Sequence, residues 1–321
     1  LYLPGLWLVA TVTAAAYGLR GFEALTQLSP MIVGIVLGVV MCNLVPLPQQ
    51  VRPGLQLSGK SLLRTAVALL GLQVTLGEIA ALGPWSLASA AVVLAATFFF
   101  TLLVGRLLGV AAPLTALIAA GTSVCGAAAI AGVKGAVRAE EEDVTYAVAA
   151  VTLFGTLAMF LYPLLGRALA LGPAQYGTWI GLSVHEVAQV VGAGFEGGEE
   201  AGRIAILVKL TRVVLLAVLV FGLVTWFGRT REDGAARQRV PVVPWFVVAF
   251  LALSGLNSLG YVPEALRLVL IGATPVLLTV ALSALGLGTH FGRLRQLGLR
   301  PIALCAISTV FIAVLSLVAS A

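Results

Sequence analysis

Of the 321 residues, 60% are hydrophobic and only 10% charged, with a mean hydropathy of +1.08. Soluble globular chains run near 45–50% apolar and about 25% charged, so a cytosolic enzyme, a nucleic-acid binder and a disordered regulator are excluded. An apolar helical span takes about 20 residues, which leaves room for roughly eleven spans, short loops and no second soluble domain. The formal net charge of +6 is informative through its distribution between loops, because basic loop residues set orientation.

Apolar runs punctuated by Gly, Pro and charge give eleven expected spans. They fall at 4–20, 30–46, 60–79, 84–108, 113–138, 143–169, 175–194, 201–228, 242–260, 262–288 and 299–320. The whole chain, 1–321, reads as a single all-α polytopic transporter domain, since lipid admits only helices or closed barrels and no alternating strand pattern competes. The first run has no basic segment and no small-residue cleavage site after it, so it is expected to be a true span.

Loops 2–3, 4–5, 6–7, 8–9 and 10–11 carry twelve basic residues, Arg52, Lys60, Arg64, Arg106, Arg167, Arg229, Arg231, Arg237, Arg239, Arg293, Arg295 and Arg300. The other loops carry five, Arg20, Lys134, Arg138, Arg203 and Arg267, with ten of the thirteen acidic residues. The positive-inside rule then predicts a cytoplasmic N-terminus and an outward C-terminus in a bacterial inner membrane. Cys42, Cys125 and Cys305 lie far apart in apolar runs, with no metal-ligand spacing and no disulfide framework.

Leu70–Gly83 and Leu285–Gly298 agree at six of fourteen positions, and each precedes a proline, Pro84 or Pro301. The two stretches close the third and tenth spans, which cross in opposite directions, as inverted repeats of secondary transporters do.

The fifth span contains Gly121-Thr-Ser-Val-Cys-Gly126. Thr122, Ser123 and Cys125 between two glycines read either as small-residue helix packing or as an unwound helix whose backbone faces a ligand. The seventh span carries Ser183, His185, Glu186 and Gln189 within two turns. Helical spacing would put His185, Glu186 and Gln189 on one face, and ionisable groups at this depth need a partner or a cavity. The HExxQ string lacks the second His of the zinc-protease motif. The eighth span carries Lys209 and Arg212 one turn apart. They either snorkel outward or face inward toward Glu186; two cations against one carboxylate leave a net +1, which an anionic ligand would relieve. Gly272-Ala-Thr274-Pro275 in the tenth span is either a plain proline kink or a second interruption paired with the fifth span. Asn43 and Asn257-Ser258, at span ends, read as caps or loop anchors.

Several of these strings resemble the bacterial YeiH family. They are Gly121–Ile130, Val151–Pro163, Ser183–Val191, Pro244–Phe246 with Asn257-Ser258, and Ala284–His290. The resemblance runs from about residue 30 to the C-terminus. Members of that family are called sulfate exporters, and the family is similar in turn to the bile-acid/sodium symporter and cation–proton antiporter superfamily. The resemblance implies a panel domain, a core domain and two crossing, interrupted helices. The fifth span fits the first of these, and the tenth and seventh both offer themselves as the second.

Together these readings lead to the expectation of a secondary transporter, not an enzyme, that exports a small anion such as a sulfur oxyanion or organosulfonate by alternating access. Gly121, Thr122, Ser123, Cys125, Gly126, Ser183, Gln189, Lys209, Arg212 and Thr274 are the expected substrate-binding residues. His185 and Glu186 are the expected ion-coupling residues, for H+ or Na+, with no cofactor and no bound metal. The expected partners are the lipid bilayer and the anionic solute, with a homodimer left open and no nucleic acid. A sodium-coupled importer of an organic anion is the alternative; an intramembrane hydrolase using Ser183 or Cys125 with His185, or a channel, is more distant.

Overall fold

The computed structural model describes residues 2–19, 29–81, 83–228, 245–289 and 298–321. Every regular element in these segments is helical, and none is a strand. Among the described residues, four helical stretches are long and apolar enough to cross a bilayer: Ser86–Leu107, Glu142–Ala168, Glu264–Leu287 and Leu299–Ser320. Shorter apolar helices accompany them.

The chain divides into two compact units. The first comprises Leu1–Ala81 and Trp245–Arg293. It contains α1 (Leu3–Gly18), α2 (Pro30–Leu44), α3 (Arg52–Gln56), α4 (Leu63–Leu69), α5 (Leu76–Ala81), α13 (Trp245–Ser258) and α14 (Glu264–Leu287). Small residues set its closest packing. A Cβ on Gly38 of α2 would lie 2.6 Å from the Ser283 carbonyl of α14, and one on Gly34 would lie 2.5 Å from Ser283 Oγ. This Gly34-x-x-x-Gly38 face lets backbones approach where lipid supplies no hydrophobic drive between helices. Val9 and Val12 of α1 pack with Ala284 and Leu287 beside it.

One expected span in this unit is corrected, and the alternative left open for another is decided. The third is helical from Gln49 to Gln73, through short 3-10 and π segments that flank α3 and α4, and it ends at the extended Val74. The 60–79 range therefore starts too late. Pro53 is tolerated in the first turn of α3, where its missing N–H has no partner to lose. The tenth span is not interrupted: α14 continues through Pro275. Thr274 Oγ1 donates to Leu270 O and Thr279 Oγ1 to Pro275 O, both at 2.8 Å, so hydroxyls bond carbonyls on either side of the proline. Asn43 and Ser258 serve as loop anchors, Asn43 Nδ2 donating to Thr289 O at 2.9 Å and Ser258 Oγ accepting from Leu76 N–H at 2.8 Å.

The second unit comprises Leu82–Pro244 and Leu294–Ala321. It contains α6 (Gly83–Leu107), α7 (Ala112–Ala120), α8 (Ala127–Val137), α9 (Glu141–Ala168), α10 (Pro173–Ser183), α11 (Val187–Glu196), α12 (Glu199–Gly228) and α15 (Leu299–Ser320). The helix pair α10 and α12 forms its tightest seam. A Cβ on Gly177 would lie 2.6 Å from Ala201 O, and one on Gly181 2.6 Å from Ala205 O. Leu182 and Val208 from this seam join Ala90 and Val93 of α6 and Ile312 of α15 in one apolar cluster. Trp179 stacks on Tyr162 of α9 with ring centroids 4.6 Å apart, and its indole N–H donates to Ala313 O at 2.9 Å. This is how α10 is fixed between α9 and α15.

Candidate functional site

Two spans of the second unit are broken at mid-length. In the fifth, α7 passes into a single π turn over Gly121–Cys125, and Gly126 N–H closes onto Gly121 O at 2.9 Å. Gly126 then breaks the helix with φ 69° and ψ −131°, a conformation essentially restricted to glycine, before α8 begins. The interruption is tighter than an unwound strand, but the regular ladder is broken there. In the seventh, α10 ends at Ser183, Val184 and Glu186 are extended, and α11 starts at Val187. His185, Glu186 and Gln189 therefore do not share one helical face. Glu186 is instead the N-cap of α11, in a capping box with Gln189, whose Oε1 accepts the Glu186 backbone N–H at 3.0 Å.

Lys209 and Arg212 of α12 join the two breaks. Both are fully buried, with 0% exposure. Lys209 Nζ donates to Val124 O at 2.8 Å and to Val184 O at 2.7 Å. Arg212 donates from Nε and Nη2 to Ser123 O at 3.2 and 2.7 Å, and from Nη2 to Thr122 O at 3.1 Å. Its Nη1 reaches Gly181 O, Leu182 O and Val184 O at 3.2, 2.6 and 3.2 Å. One guanidinium and one ammonium thus satisfy the carbonyls at the ends of α7 and α10. These are the negative poles of both half-helices. The inward orientation prevails over snorkelling, and the donors are directed at backbone.

The opposite poles meet Glu186. Its side chain packs against Gly126, where a Cβ would collide with Glu186 Cγ. The carboxylate thereby sits at the start of α8 as well as capping α11. Thr152 Oγ1 of α9 donates to Glu186 Oε1 at 3.0 Å. Gln189 Nε2 donates to Thr152 O at 3.1 Å and Thr156 Oγ1 at 3.3 Å, filling space left by Gly155. Negative charge lies at the helix N-termini and positive charge at the C-termini, the arrangement the peptide dipoles favour.

Of the other expected site residues, Ser183 Oγ donates to Trp179 O at 2.6 Å, and Cys125 is a buried free thiol. Ser123 Oγ is buried without a hydrogen-bond partner among the described residues. Thr274 belongs to the other unit. Sequence reasoning missed Thr152 and Thr156, and it missed Thr309 of α15, which meets His185 Nε2 at 2.9 Å. The signal for the last was available: Cys305, Ser308 and Thr309 fall on one side of a mostly apolar helix.

A buried pair of interrupted helices among apolar helices of membrane length defines the class, an all-α integral membrane protein. The chain belongs to the family described as conserved hypothetical protein 698, whose model matches residues 4–305. It is 39% identical to a UPF0324 membrane protein of Corynebacterium glutamicum, over 98% of this chain and 91% of that one. It is 38% identical to one of Pseudomonas aeruginosa, over 95% and 90%, and 32% identical to one of Bacillus cereus, over 99% and 94%. No solved structure matches it.

Proposed function

We propose that this protein is a secondary active transporter of a small anion, working by alternating access in the bacterial cell membrane with eleven spans. The observation that supports this most directly is the paired interruption at Gly121–Gly126 and Val184–Glu186, held by Lys209 and Arg212. Broken helices at mid-depth are how transporters offer backbone groups to a solute where lipid forbids bare polar backbone. Two cations against one carboxylate leave a net positive charge at the crossing, which favours an anion. Ser123 Oγ, which has no hydrogen-bond partner among the described residues, would meet it. His185 and Glu186, inside the second break, would carry proton or sodium coupling. The two compact units would be the panel and core of an inverted-repeat fold.

The resemblance to the YeiH family makes a sulfur oxyanion or organosulfonate exporter the first substrate class to test; a sodium-coupled organic-anion importer is the alternative. A transporter is preferred to a hydrolase because the Ser183 hydroxyl is directed to Trp179 O and not to His185. The test is a thermal-shift screen of sulfate, sulfite, thiosulfate, taurine, sulfoacetate and carboxylates, with and without sodium, followed by flux in liposomes. A ligand at one hundred times its Kd stabilises by about 2.7 kcal/mol. Stabilisation by one anion class with saturable flux is the expected result. No stabilisation by any anion, or non-saturating flux, would overturn the reading.

A further inference from the structure

Tyr176 of α10 and Ala193 of α11 are 17 residues apart, yet the Tyr176 hydroxyl donates to Ala193 O at 2.8 Å. Along one straight helix they would lie about 25 Å apart. A Cβ on Gly197, just past α11, would strike the Tyr176 ring. Arg167 at the end of α9 pairs with Glu196 at the end of α11 at 3.2 Å, although alternating spans would put these two charges on opposite faces of the membrane. The chain therefore folds back at Val184–Glu186. The packing on α12 agrees. Gly177 and Gly181 meet Ala201 and Ala205 in rising order, so α10 runs parallel to α12; Gly194 and Phe195 of α11 meet Ala205 and Gly202 in falling order.

The first break is built the same way from the other face. Trp179 meets Ala313 and His185 meets Thr309, so α10 is antiparallel to α15 and enters from the face where α15 ends. Helix α6 is also antiparallel to α15. Thr101 Oγ1 donates to Ser308 Oγ at 2.9 Å, and a Cβ on Gly109 would lie 3.4 Å from Arg300 Nη1. The end of α6 and the start of α7 therefore lie at the face where α15 begins. Helix α9 touches the second tip at Thr152 and the outer end of α11 at Arg167, so its start at Glu141 lies at that same face. Only residues 138–140 separate it from the end of α8. At the tip, a Cβ on Gly121 would lie 2.9 Å from Ile130 Cδ1 of α8, where a straight helix would separate residues 121 and 130 by about 13 Å.

We infer that the fifth and seventh apolar runs do not cross the membrane: α7–α8 and α10–α11 are re-entrant hairpins inserted from opposite faces, and the candidate solute site lies where their tips meet. Each hairpin closes that site toward its own face. The four half-helices have 9, 11, 11 and 10 residues. At 1.5 Å per residue each is about 14–17 Å long, half of a hydrocarbon core of about 30 Å. Irregular backbone at that depth is tolerated only inside protein, and Lys209 and Arg212 supply donors to the carbonyls of both tips. The loop charges agree independently of the geometry. Arg167 leaves the cytoplasmic set while Lys134 and Arg138 join it, so twelve basic residues against five become thirteen against four. The inference deepens the transporter reading, with nine crossings in place of eleven, and the odd count keeps the termini on opposite faces.

The three native cysteines are buried, so the unsubstituted protein is the blank for labelling with an impermeant maleimide. Ala111→Cys and Glu140→Cys report the two ends of the first hairpin, and Ala174→Cys and Glu200→Cys the two ends of the second; all four positions are exposed. Ala112, Glu142, Gly172 and Glu199, also exposed, replace any reporter that does not accumulate. Each variant is labelled in intact cells and in inside-out vesicles. The expected result is that Ala111→Cys and Glu140→Cys label only in inside-out vesicles, and Ala174→Cys and Glu200→Cys only in intact cells. The opposite sidedness with both pairs intact would support the hairpins and reverse the orientation alone. Either pair split between the two preparations would overturn the inference and restore alternating spans. Labelling needs no transport, so a protein that moves no anion would sink the transporter reading and leave the hairpins standing.

Discussion

Arg212 grips one carbonyl twice: Nε and Nη2 both donate to Ser123 O, at 3.2 and 2.7 Å, while Nη1 reaches across to Leu182 O at 2.6 Å. One planar fork therefore holds the end of α7 against the end of α10. A lysine in its place would keep the charge and lose the fork. Hydrogen bonds to charged groups are worth about 1.5–3 kcal/mol each, so Arg212→Lys should lower stability by about 3 kcal/mol even with no anion present. Thermal unfolding in anion-free detergent checks this. Unchanged stability there, with weakened anion binding, would instead make Arg212 a direct ligand of the solute.

Gly126 is the second point on which the crossing depends. Its φ of 69° is unfavourable for any residue with a Cβ, and that Cβ would strike Glu186 Cγ. Strained backbone of this kind costs about 1–3 kcal/mol. Gly126→Ala is expected to unfold at a lower temperature and to lose flux. Gly135, in α8 with nothing within 4 Å of an added Cβ, is the control. Gly135→Ala should be neutral or slightly stabilising, because alanine is the better helix former.

Much of this was open to a reading of residues alone. The fifth span at 113–138 became α7, the π turn and α8 between Ala112 and Val137, because the paired glycines are a local signal. The second break was harder to find. Pro275 drew attention to the tenth span, yet a proline inside a helix is tolerated when neighbouring hydroxyls bond the carbonyls around it. The true break carries no proline at all. Its signal is Glu186-x-x-Gln189, a reciprocal cap that starts a new helix and that also reads as a zinc-motif fragment. The roles of Lys209 and Arg212 could not be read from sequence, since their partners are main-chain carbonyls, which every residue has. Only the tertiary arrangement brings Thr122, Ser123, Val124 and Val184 to one pair of side chains.

Orientation rests on the basic loops. The 229–239 segment lies outside the described residues and holds Arg229, Arg231, Arg237 and Arg239. The positive-inside rule puts it in the cytoplasm. A single cysteine placed there, in a protein whose three native cysteines are replaced, should be protected from an impermeant maleimide in intact cells. It should label in inside-out vesicles. Labelling in intact cells would reverse the orientation.

Glu186 and His185 should separate when each is neutralised in turn. Glu186 faces the starts of α8 and α11, and a carboxylate at a helix N-terminus contributes about 0.3–1 kcal/mol, up to about 2 when partly buried. Glu186→Gln keeps an oxygen for Thr152 to donate to while removing the charge, so it should cost about 1 kcal/mol of stability. It also raises the net positive charge of the crossing, and anion affinity should therefore rise. Lys209→Met removes a cation and should weaken it. If His185 carries the coupled proton, the pH dependence of flux should survive Glu186→Gln and vanish in His185→Gln. Thermal shift against sulfate concentration measures the first pair, and liposome flux recorded as a function of pH measures the second. Equal anion affinity in Glu186→Gln and Lys209→Met would show that the solute does not feel the charge at the crossing, and the substrate would then have to bind elsewhere.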